Sequence, residues 1–134
     1  MFFDPKEEFR NKLTNRFSFY NWTNANGTQS YTAISIKSGW YNLLWDISLE
    51  IEKELAKDAK KQLFKVFEVY QKYGEMNFRY TYYSYNIERL LLEAEDRSNK
   101  ICEMCGQFGG LREECMFILT LCDECNSKRN ERFI

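Results

Sequence analysis

The hydrophobic positions of this chain change their period along its length, and each change marks an element. From Ser38 or Gly39 to about Lys57, Trp40, Leu43, Leu44, Ile47, Ile51 and Leu55 recur at three- and four-residue steps. That spacing gathers apolar side chains on one side of a helix, so this stretch is the expected core helix. Its other side carries Asp46, Glu50, Glu52, Lys53, Glu54 and Lys57, with Glu50 and Glu54 at like-charge spacing. A solvated face explains these charges, and an acidic docking surface is the competing reading. From Phe64 the period falls to two: FKVFEVYQK, a turn at Tyr73, Gly74 and Glu75, then MNFRYTYYS. This predicts a β-hairpin with Phe78, Tyr80 and Tyr82 on one face and Asn77, Arg79 and Thr81 on the other. Packing on the Trp40 helix accounts for the aromatic face. The same face beside Arg79 could also stack unpaired bases.

Helical spacing returns on both sides of these two elements. Residues Asp4 to Phe17 predict a first helix, with Asp4 able to cap it, Pro5 suited to its first position and Glu7 and Glu8 near its positive end. Phe9, Leu13 and Phe17 then share a core-facing stripe. Asn86 to Ser98 predicts another helix, with Ile87, Leu90, Leu91 and Ala94 opposite Glu88, Arg89, Glu93 and Glu95. Between the first helix and the core helix, SFYNWTNANGTQSY reads as a loop and Thr32 to Ile36 as a short strand. Phe19, Tyr20 and Trp22 stand at the start of that loop. They are either pins onto the core or exposed anchors for a partner.

The stretch Asn99 to Asn126 holds all five cysteines, four of them in two Cys-x-x-Cys pairs, Cys102 with Cys105 and Cys122 with Cys125, sixteen residues apart. Two residues between thiolates let both sulfurs of a tight turn reach one centre, and a second such turn completes a tetrahedral shell. The expected occupant is a structural zinc ion. Gly106 follows the first pair where a knuckle tolerates positive φ, and Gly109 and Gly110 supply a turn. The run MFILTL reads as a strand into the second pair, and NSKRNERFI as a short helix after it. Knuckle, hairpin and helix together make the module treble-clef-like. Cys115 reads as a small semi-buried residue. Disulfides and a dithiol redox pair compete with the metal. The start of the chain, MFFDPKEEF, lacks the apolar run of a signal peptide, which places the thiols in a reducing cytoplasm, and a redox site needs one pair rather than two.

Composition sharpens this picture. At 134 residues the chain accommodates an α+β body over 1–98 and a metal-stapled module over 99–134 packed against it. Aromatics make up 17% of it, more than a small core obviously needs, and this argues against disorder. The net charge of −1, made more negative by four thiolates around a dication, fits a basic partner surface better than bulk nucleic acid. Histidine is absent, which removes the usual general base and the histidine-containing nucleophile pairs and metal sites. The expectation is a protein that is not an enzyme. Carboxylate pairs such as Glu50 with Glu54, or Glu93 with Glu95, have only helix-face spacing behind them.

The order of motifs resembles a family of small zinc-ribbon proteins encoded by phages and prophages. Gly39 and Trp40 match a GDGW-type start to the helix, Lys72 to Tyr80 a KFGGLRFY-type turn, Ala94, Glu95 and Ser98 an AE..S helix, and the paired cysteines CE.CG and LC..C. The acidic residue before Gly-Trp is missing, and Glu75 and Met76 replace the Gly-Leu of the turn. The likeness runs from Gly39 to Cys125. It implies the fold, the metal and a phage origin, and no activity. The expected function is therefore an accessory protein in the bacterial cytoplasm that binds a host protein. Its sharpest form is an anti-defence, anti-CRISPR-like inhibitor acting by steric or nucleic-acid-mimic binding, with Phe19, Tyr20, Trp22, Tyr83 and Tyr85 as anchors and Glu50 and Glu54 as acidic contacts. The alternative is a nucleic-acid-binding module using Lys128, Arg129, Arg132 and Arg79.

Overall fold

In a computed structural model, residues 5–113 and 117–132 are described, with the side chains of 130–132 left aside. The expected Asp4 cap, Cys115 and the Arg132 side chain lie outside that set. The helices are α1 (Pro5–Arg16), α2 (Tyr41–Leu55), α3 (Tyr85–Ser98) and α4 (Asp123–Arg132). The strands are β1 (Asn21–Thr23), β2 (Gln29–Tyr31), β3 (Ala33–Ser35), β4 (Val66–Lys72), β5 (Glu75–Tyr80), β6 (Gly110–Arg112) and β7 (Leu119–Leu121). The fold is α+β, with the four paired cysteines gathered near its C-terminal end. No described helix is long and apolar enough to cross a membrane.

The periodic stripe of α2 is the centre of the core: Leu43, Leu44, Ile47, Ile51 and Leu55 are buried, with Trp40 just ahead of the helix. Each such side chain contributes about 1.5–3 kcal/mol by leaving water. Leu13 and Phe17 of the α1 stripe, Ile87, Leu91 and Ala94 of α3, and Val66, Val69 and Met76 of the hairpin join the same cluster. Phe9 is partly buried and stacks on Tyr41, centroids 4.0 Å apart. The helix α3 packs on both α2 and β5. Phe78, Tyr80 and Tyr82 also pack on the core, so the aromatic face of the hairpin is engaged internally.

Three features depart from the expected arrangement. First, the sheet is mixed: its order is β3-β4-β5, with β4 antiparallel to β5 but parallel to β3, where Ile34 pairs with Val69. Parallel neighbours need a long crossover, and α2 supplies it. Second, the polar loop contains a hairpin, β1 with β2, closed where the Asn24 and Thr28 backbones pair and Gly27 takes φ +87°. Local amide and hydroxyl bonds of Asn24, Asn26 and Thr28 hold that turn, a chemistry that composition alone reads as loop. Third, Phe19 and Tyr20 are 3% and 0% exposed, which corrects the expectation that they anchor a partner. They lie in a 3₁₀ turn, Ser18–Tyr20, with Phe19 against Phe64 and the Tyr20 hydroxyl 2.5 Å from Ser48 Oγ. Burial pushes the Tyr20 phenol well above its ordinary range, only partly offset by the Ser48 bond.

Candidate metal centre

The first cysteine pair sits on a knuckle whose backbone closes on itself. Cys102 N–H donates to the Gln107 carbonyl at 2.7 Å, Gly106 N–H donates to the Cys102 carbonyl at 2.8 Å, and Ile101 bridges Phe108. Gly106 has φ +83°, a conformation that an L side chain would strain. The second pair straddles the start of α4: β7 ends at Leu121, Cys122 precedes the helix, and Cys125 lies in its first turn. The β6–β7 hairpin, with Leu111 opposite Thr120, joins the two pairs.

This brings all four sulfurs within 4.8 Å of one another, with Cys105 Sγ 3.6 Å from Cys122 Sγ. A tetrahedral sulfur shell with metal–sulfur bonds of about 2.3 Å has edges of about 3.8 Å, so the cluster fits a metal ion. Cys102 is buried, Cys122 and Cys125 half-buried, and Cys105 exposed. Burial opposes ionisation of Cys102, but N–H groups of Cys122, Cys105 and Met104 outweigh it and bring its thiol down to about 7. Cys125 is pushed far up by burial and by its neighbouring sulfurs. Cys102 is thus drawn toward its thiolate whereas Cys125 resists ionisation, and a bound cation would offset that resistance.

The carboxylate that seats this centre on the body was not singled out by spacing or charge. Glu103, between the first two cysteines, is fully buried. Its carboxylate accepts from Thr120 N–H at 2.9 Å, Gln71 Nε2 at 3.2 Å and Lys37 Nζ at 3.2 Å, and its carbonyl accepts from Gly39 N–H at 2.8 Å. Gly39 lies so close that a Cβ there would stand 2.1 Å from the Cys102 carbonyl oxygen. The Trp40 indole donates to the Ile101 carbonyl at 2.7 Å. Gly39 and Trp40 therefore receive the knuckle as well as opening the core helix. On the far side, Thr120 Oγ1 donates to the Gly74 carbonyl at 2.6 Å. The module is docked on the body through buried hydrogen bonds and close backbone approach. The only signal in the chain is a carboxylate inside an apolar cysteine turn, whose partners come from three separate elements.

The other expected site residues do not converge in this way. Tyr83 and Tyr85 are 68% and 66% exposed, and Trp22 is half-buried, its ring edge-on to Phe67 at 5.1 Å. Glu50 is exposed, whereas Glu54 pairs with Lys57 at 3.6 Å. Among the candidate cations, Arg79 pairs with Glu68 and Lys128 with Glu124. Where the β4–β5 turn, the knuckle and α4 meet, there is instead a groove of about 710 Å³ that sequence reasoning missed. Leu121 is buried in it, and Tyr73, Met104 and Phe117 stand exposed around it. Comparison with family models, with curated proteins and with solved structures finds no match for this chain.

Proposed function

We propose that the protein is a non-enzymatic accessory protein, of the phage type its motifs resemble, that acts in the host cytoplasm by docking on a host protein. Zinc fills the four-cysteine site and serves structure alone, since four thiolates satisfy a tetrahedral dication and leave no position for substrate. The observation that carries the docking reading is the groove at the seam of body and module, with Tyr73, Met104 and Phe117 exposed on a platform held by buried bonds. A defence effector remains the proposed class of host target. Steric inhibition is favoured over nucleic-acid mimicry because two of the four α2 carboxylates, Glu52 and Glu54, are ion-paired with Arg16 and Lys57.

The direct test is affinity capture by the zinc-loaded chain from host lysate, with and without nuclease and across a salt series. A single protein retained after nuclease treatment supports docking. Capture that vanishes with nuclease and with modest salt favours the second reading, nucleic-acid binding, which rests on Lys72, Lys128 and Arg129 beside Tyr73 in the same groove. Metal analysis should return one zinc per chain.

A further inference from the structure

The groove at the seam has a charge pattern opposite to that of the chain. Its described lining includes the cations Lys37, Lys72, Lys128 and Arg129 and no carboxylate, in a protein of net charge −1. Lys37 and Lys128 have acidic neighbours at 3.2 and 3.3 Å, and Lys72 lies over the Tyr73 ring. Arg129 differs from these. Its Nη1 donates to the Phe117 carbonyl at 3.1 Å, whereas Nε and Nη2 are shielded from solvent and have no acceptor among the described residues. A guanidinium edge without an acceptor is costly, and its planar fork matches a carboxylate or phosphate in bidentate fashion.

The remaining lining decides which anion fits. Met104, Leu119 and Leu121 give the groove an aliphatic wall, and its volume is within the range of well-formed pockets. Tyr73 and Phe117 stand exposed at the rim, whereas the floor is aliphatic, and an aliphatic floor favours the apolar side chains of a peptide over stacked bases. We infer that the groove takes a short acidic segment of the partner protein. Apolar side chains of that segment seat on Met104, Leu119 and Leu121, and its carboxylates meet Arg129, Lys72 and Lys128. A rotation of the Arg129 side chain would turn this fork, which has no acceptor among the described residues, to the ligand. This inference rests on the docking reading above and adds the chemistry of what is docked.

The test is selection of a random peptide library against the zinc-loaded full chain, followed by titration of a synthetic peptide carrying the enriched sequence. Enriched peptides should combine Asp or Glu with apolar residues. Arg129→Gln and Lys72→Glu should each weaken the titrated peptide by about tenfold, and Met104→Asp more. Melting and cobalt-substituted absorption, unchanged in these variants, would show that the fold persists. Enrichment of neutral or basic peptides that Met104→Asp still blocks overturns the charge inference and leaves docking intact. So does an acidic consensus indifferent to Arg129→Gln and Lys72→Glu. Failure to enrich any peptide overturns both readings, and binding of oligothymidylate that the same variants weaken would assign the groove to nucleic acid.

Discussion

The body and the metal module are held together by different physics. Around α2 the body buries a continuous cluster of aliphatic and aromatic side chains drawn from α1, α3 and the hairpin, so each contact has neighbours that share its load. The module has short strands and few buried apolar residues of its own, Cys102 and Leu121 among them. It depends on four sulfurs, one buried carboxylate and a glycine contact. The lesson is that loss of a single apolar group is graded in the body, whereas loss of a single sulfur is close to all-or-none in the module.

The largest expected effect therefore comes from the metal shell. Cys102→Ser or Cys122→Ser should remove the metal and unfold the module, because metal binding there is folding free energy on the order of 10 kcal/mol. Hydrogen exchange would show lost protection over the module with α2 still protected. A metal-free Cys102→Ser chain with unchanged exchange would erase the contrast. Leu44→Ala, in the body, should cost about 2–5 kcal/mol in denaturant melts without changing metal content. Gly39→Ala sharpens the comparison because its effect should cross the boundary. A Cβ at 2.1 Å from the Cys102 carbonyl forces the knuckle off the body, with a cost of about 1–3 kcal/mol and weaker metal binding. Glu103→Gln is the mildest: it keeps the shape but weakens charge-assisted bonds to Lys37 and Thr120, with an expected cost on the order of 1 kcal/mol.

Acid should separate the regions as well. A thiol at about 7, depressed from its ordinary 9, contributes stability that is present above the higher value and lost as pH falls through the lower. Protons compete with the metal in the same direction. Cobalt-to-thiolate absorption should therefore fall with acidification before the circular dichroism of the body changes.

The comparison also explains how much was legible beforehand. A stripe such as Trp40, Leu43, Leu44, Ile47, Ile51 and Leu55 is a local record of burial, and every one of those residues is buried. Paired cysteines are a local record of a metal site, and Cys102, Cys105, Cys122 and Cys125 converge as their spacing implies. Phe19 and Tyr20 were ambiguous because a polar sequence context records the local surface, whereas their burial depends on Ser48 and Phe64, far along the chain. Strand β3 was readable as a strand, but not its parallel pairing, which α2 imposes by returning the chain beside it. Glu103 and the groove were hidden for the same reason. Their partners lie on β4, β7 and the segment before α2, and no periodicity links them.

The contact between Lys37 and Glu103 spans 66 residues of chain. During synthesis the segment leading into the core helix is made long before the knuckle that covers it, so the start of α2 must wait for its lid. Domains fold as units as they emerge from the ribosome, N-terminal parts first. The knuckle follows that segment by 66 residues, so the junction between them closes only after the intervening chain has been made. If no metal held the knuckle in place, the Gly39–Trp40 shelf would lose the bonds that cover it and lie open to proteolysis.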